Sequence, residues 1–122
     1  MAKAHSNRGS PETMARFADL VELYYGVEGV TCPGTEPGAR GFGRGGLKVG
    51  GKLFSMVSQD RLIVKIPAVR VAELVSSGDG ERFDPRKNGV EMREWLAVDP
   101  GSGLDWHALA EEARAYVSSL KS

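Results

Sequence analysis

The chain is 122 residues long, enough for one domain with one hydrophobic core. Its 16 basic and 16 acidic residues cancel, which excludes the overall basic excess that feeds non-specific nucleic-acid binding; any such contact needs a local patch. One cysteine excludes an internal disulfide, and no apolar run approaches the ~20 residues of a membrane helix, so a soluble protein of the reducing cytoplasm is expected.

Residues 1–9 are small, polar and mixed in charge, the composition of a disordered tail, and residues 10–122 read as the single folded domain. Ser10-Pro11 has the form of an N-cap followed by proline at the first helical position. From there Met14, Phe17, Ala18, Val21, Tyr24 and Tyr25 recur at helical spacing until Gly26 ends the helix. Between Val27 and Gly46, glycines and prolines deny any long element, and a flexible glycine-rich loop is expected at about 31–46. Val30 or Phe42 can dock there as short extended pieces.

Gly46 to Ile66 is the most apolar and β-branched stretch, and it reads as three strands joined by two tight turns. A two-residue turn at Gly50-Gly51 pairs Val49 with Lys52 and Leu47 with Phe54. A second turn at Ser58-Gln59-Asp60 pairs Val57 with Leu62, Met56 with Ile63 and Ser55 with Val64. One face then carries Leu47, Val49, Phe54, Met56 and Ile63, and the other carries Leu53, Val57, Leu62, Val64 and Ile66. Both faces are apolar, so helices cover both or one is an interface.

Pro67 opens a second helix, with Ala68, Val71, Ala72, Leu74 and Val75 inward and Gly78 closing it. A short extended piece anchored by Phe83 follows. Met92 to Val98 reads as a further strand, with Trp95 and Ala97 on one face and Leu96 and Val98 on the other. Ser102 and Asp105 have capping-box spacing ahead of a helical stripe of Trp106, Leu109, Ala110, Ala113, Tyr116, Val117 and Leu120. The expected fold is α+β, ordered α-β-β-β-α-β-α, with an antiparallel sheet of about four to five strands and flanking helices.

Motifs for chemistry fail on their surroundings. Gly41 to Gly46 spells GxGxxG, but a loop precedes it and a hairpin follows, where a dinucleotide site needs a strand and then a helix. Gly46 to Lys52 fits GxxxxGK, yet Leu53 stands where a magnesium-binding hydroxyl is required. Cys32 has only His5 and His107 as activators, and neither is near in sequence. No His, Cys or carboxylate cluster has metal-ligand spacing, so no metal, cofactor or catalytic set is expected. Glu111 and Glu112 read as solvated helix residues. The one concentrated basic tract is Arg40, Arg44, Lys48 and Lys52, four cations within thirteen residues and no acid among them. A basic loop running into a hairpin suits a phosphate backbone or another acidic partner.

From Gly46-Leu-Lys-Val-Gly-Gly-Lys-Leu-Phe-Ser-Met-Val, through Asp60-Arg61-Leu62-Ile63-Val64-Lys65, to Glu81-Arg82-Phe83-Asp84-Pro85 and Met92-Arg93-Glu94-Trp95-Leu96, the chain resembles the TfoX N-terminal-domain family and the related MmcQ/YjbR-like proteins. The resemblance spans roughly residues 12–118. It implies a secretion-chaperone-like fold and a role labelled DNA-binding or competence-related, with no catalytic residues to carry over. Where the family often has Met-Phe-Gly before the hairpin, this chain has Gly41-Phe42-Gly43. The expected function is a non-enzymatic binding module acting on duplex DNA or on an acidic protein partner. The alternative is a protein-interaction domain, such as a homodimer joined through the surplus apolar sheet face.

Overall fold

The computed structural model describes residues 11–33, 46–84 and 92–120. The expected tail at 1–9, the Ser10 cap, Phe42 and most of the glycine-rich loop lie outside them. The described elements are α1 (Pro11–Glu22), β1 (Val30–Thr31), β2 (Leu47–Val49), β3 (Lys52–Ser58), β4 (Arg61–Lys65), α2 (Ala68–Ser76), β5 (Glu81–Phe83), β6 (Met92–Val98) and α3 (Trp106–Ser119). The α+β order holds, and the sheet is one antiparallel array, β1-β2-β3-β4-β6-β5. It has six strands because Val30 and Phe83 each anchor a short edge strand.

Both central turns are two-residue connections with positive φ, at Gly50-Gly51 and at Gln59-Asp60. The β3–β4 register is the expected one, with Ser55 opposite Val64, Met56 opposite Ile63 and Val57 opposite Leu62. The β2–β3 register is not. Lys48 faces Leu53 but Leu47 faces Ser55, so Phe54 is an extra residue, a β-bulge that turns its side chain over. Phe54 therefore joins Leu47, Val49, Leu62, Val64, Ile66, Leu96 and Val98 in the main core, rather than Met56 and Ile63. Simple alternation misassigned Leu47, Val49 and Phe54 for this reason.

All three helices pack on that one face. Val71 and Leu74 of α2 share the core with Phe17, Leu20 and Val21 of α1 and Leu109, Ala110, Ala113 and Val117 of α3. Burying each such large side chain contributes about 1.5–3 kcal/mol, so this layer dominates the stability. The other face holds a second, smaller cluster of Ile63, Phe83 and Ala97, with Met56 and Trp95 half-buried beside it. No helix covers it among the described residues. Its centre is nevertheless closed to solvent, with Ile63 0% and Ala97 1% exposed.

The helix ends explain themselves locally. α2 closes in a Schellman motif, in which the Asp79 N–H reaches the Leu74 carbonyl and the Gly78 N–H the Val75 carbonyl, with Gly78 at φ +84°. α3 starts later than its capping-box spacing suggests. Asp105 is the N-cap, accepting from the N–H groups of His107 and Ala108, while Ser102 Oγ accepts from Leu104 N in the preceding turn. Ala68 and Tyr25, expected inward, are exposed. α1 has tightened into a final turn by then, with Tyr24 N bonded to Val21 O, and this swings Tyr25 out.

Glu111 and Glu112, read from sequence as solvated, are instead the ties between helices. Tyr24 Oη donates to Glu111 Oε2 at 2.6 Å, joining the end of α1 to α3. Glu111 also takes both guanidinium branches of Arg114. Those bonds, Arg114 first and Tyr24 second, hold its carboxyl down at about 2. Burial, with Glu111 alongside, pushes the Tyr24 phenol well above its ordinary range. On the other flank, Arg70 of α2 donates to Glu112 at 2.8 Å.

Candidate binding surface

Following the chain through the sheet sorts its charges to two ends. The β2–β3 turn, the end of β4, the start of α2 and the start of β6 lie at one end. The β3–β4 turn, the α2–β5 connection and the end of β6 lie at the other. The first end carries Lys48, Lys52, Lys65 and Arg93, with Arg82 of β5 reaching toward it. Among the described residues the carboxylates beside them on the strands and connections are Glu28 and Glu94, with Asp84 just past the end of β5, and Glu94 is already engaged by Tyr116 Oη at 2.8 Å and by Lys65 at 3.9 Å. At the second end, Asp60, Asp79, Glu81 and Asp99 line one open groove of about 780 Å³. Arg61 is the cation there, spanning Glu81 and Gln59. Among the described residues the sheet thus has a basic end and an acidic one.

Of the four cations singled out in sequence, Arg40 and Arg44 lie outside the described residues. Lys48 and Lys52 flank the Gly50-Gly51 turn, which Gly50 N anchors to Gly29 O of the β1 side at 3.0 Å. They project to opposite faces, because Lys52 pairs with core-facing Val49 and Lys48 alternates with it. The two lysines therefore straddle the tip of a pinned hairpin. Lys65, on the helix-free face, lies over the Trp95 ring at 5.6 Å.

Sequence reasoning missed Lys65, Arg82 and Arg93. They come from three separate elements, and only the order β4-β6-β5 brings them together. The β4–β6 register sets Lys65 opposite Trp95, and Ile66 N bonds to Glu94 O, so Arg93 lies beside Pro67 where α2 begins. Arg82 and Arg93 line a groove of about 540 Å³ with Ala68 and Val69. No local signal marks this, since the partners are more than ten residues apart.

Of the two glycine motifs, GxGxxG lies outside the described residues except for Gly46. Gly46 to Lys52 forms a strand and a hairpin turn, with no helix to receive phosphate. Gly46 has a different duty: a Cβ there would overlap the Ser55 carbonyl oxygen and lie 2.8 Å from the Met56 Cβ. Its glycine lets the chain lie against the β3 bulge. Cys32 is buried in the main core and its thiol is pushed up by that burial, the opposite of what a nucleophile needs. Among the described residues no three His, Cys, Asp or Glu side chains converge, and no helix is long and apolar enough to cross a membrane. No family model, no curated protein and no solved structure matches the chain.

Proposed function

We propose that the protein is a non-enzymatic binding module that takes an acidic partner, duplex DNA foremost, at the basic end of its sheet. The observation that carries this is the placement of charge among the described residues: Lys48, Lys52, Lys65 and Arg93 gather at the hairpin end, and Asp60, Asp79, Glu81 and Asp99 at the far end. A pinned hairpin with a lysine on each side can lie along a phosphate backbone as a wing, with Arg40 and Arg44 adding to it in this reading. The far end repels the same polyanion and so orients it. The resemblance to the TfoX N-terminal-domain family and the MmcQ/YjbR-like proteins points the same way, toward a transcription- or competence-related role in the cytoplasm.

Four phosphate contacts give a slope of about −3.6 in log affinity against log salt, roughly a 150-fold loss between 50 and 200 mM. A gel-shift titration with duplex DNA should show that dependence, and changing Arg40, Arg44, Lys48 and Lys52 together to alanine should abolish most of the binding. Salt-insensitive binding, or an unaffected quadruple variant, would sink the DNA reading.

The alternative is a protein-interaction domain with no nucleic-acid role. It draws on Leu23 and Tyr25, 55% and 60% exposed at the end of α1 next to an apolar groove lined by Met14, Phe17 and Pro33. A second copy is the partner in that reading, joined through α1 rather than through the closed centre of the sheet face. Light scattering showing a monomer at high concentration excludes the homodimer.

A further inference from the structure

Six arginines fall among the described residues, and four are spoken for. Arg16 donates to the carbonyls of Pro100 and Leu104 and lies over Trp106. Arg61 bonds Glu81 and Gln59. Arg70 bonds Glu112 and Glu73, and Arg114 bonds Glu111. Among the described residues Arg82 and Arg93 are the two arginines without a hydrogen bond or ion pair to another described residue, and they line the same groove. The pairing of β5 with β6 is what brings the two together.

The rest of the groove matches them. Ala68 is small, and Val69 is 69% exposed, an apolar side chain left in solvent in the groove that Arg82 and Arg93 also line. The first intrahelical bonds of α2 are given by Arg70 and Val71, both to the Pro67 carbonyl. The N–H groups of Ala68 and Val69 precede them and need an outside acceptor. The first turn of α2 holds no acid and no side-chain cap that would supply one.

We propose that this groove binds the phosphate group of a small organic phosphomonoester. Two guanidinium forks balance a dianion and match the planar, bidentate bonding that phosphate oxygens accept. Val69 offers an apolar contact to the carbon side of the ester. The inference does not rest on DNA binding at the hairpin, because neither Lys48 nor Lys52 lines this groove.

The test is a ¹⁵N amide titration of the whole chain with inorganic phosphate, glycerol phosphate and a short DNA duplex, each against sodium chloride of equal ionic strength. Glycerol phosphate should shift the Ala68 and Val69 amides saturably, with inorganic phosphate weaker. Arg82→Gln and Arg93→Gln should each weaken the binding at least fivefold, and Lys52→Gln should leave it unchanged. All three sites are accessible surface positions, and unmoved resonances in α3 report that the variants fold. Shifts produced only by the duplex would overturn the proposal and assign both arginines to a polymer-binding face. Equal shifts with sodium chloride, or none with any ligand, would overturn it as well. No duplex binding by the unmodified chain, with glycerol phosphate still bound, would reject the DNA reading and leave this one standing.

Discussion

Tyr24→Phe removes one oxygen and tests how α1 is locked to α3. The tyrosine is 2% exposed, makes edge contacts with Phe54 and His107, and donates to Glu111 at 2.6 Å. A bond to a charged acceptor contributes about 1.5–3 kcal/mol. The Glu111 side chain is 40% exposed and keeps Arg114, so water replaces part of the loss and the lower figure, about 1.5 kcal/mol, is expected. The pH dependence sharpens the test. The Glu111 carboxyl is depressed from 4.5 to about 2 on folding, so its contribution is full above pH 4.5 and is lost as pH falls toward 2. At 1.36 kcal/mol per unit the unscreened contribution is about 3 kcal/mol, and solvent screening at this exposure leaves about 1 kcal/mol. Urea unfolding at pH 6.5 should therefore show Tyr24→Phe about 1.5 kcal/mol less stable than the wild type, with the gap narrowing at pH 2.5. An equal gap at both pH values, or no gap at pH 6.5, would show that the Tyr24–Glu111 bond does not couple the helices.

Other substitutions probe the sheet. Gly46→Ala drives a methyl into the Ser55 carbonyl and the Met56 Cβ, and a loss of about 1–3 kcal/mol in urea unfolding is expected where the backbone must shift. Ser55→Ala should be neutral or gain up to about 1 kcal/mol in the same assay, because Ser55 Oγ is fully buried with no hydrogen-bond partner among the described residues. The Cys32 thiol should react with a disulfide reagent at pH 8 far more slowly in the native protein than in urea; equal rates would contradict its burial.

Much of the fold is legible in local chemistry. Gly50-Gly51 and the polar pair Gln59-Asp60 set two turns, and the second set its register outright. Pro67 and Gly78 bracket α2, and the stripe from Trp106 to Val117 marks α3. The Phe54 bulge was hidden because Leu53, Phe54 and Met56 are all apolar, so either face accepts them by hydrophobicity alone. Glu111 and Glu112 looked solvated because their partners, Tyr24 and Arg70, are at least forty residues away in sequence. The basic tract is only part of the basic end. Its hairpin part is contiguous and readable, whereas Lys65, Arg82 and Arg93 reach that end only through the crossover that puts β6 between β4 and β5. The charge separation is a property of the topology, and a composition summing to zero conceals it.

Mapping a polyanion onto the surface tests the central claim most directly. With ¹⁵N-labelled protein and a short DNA duplex at low salt, the amides from Lys48 to Lys52 and at Lys65 and Arg93 should shift progressively and recover as salt is raised. Those of Gln59 to Arg61 and Gly78 to Glu81, at the acidic end, should stay in place. Shifts centred on the acidic end, or a spectrum indifferent to the duplex, would contradict the account.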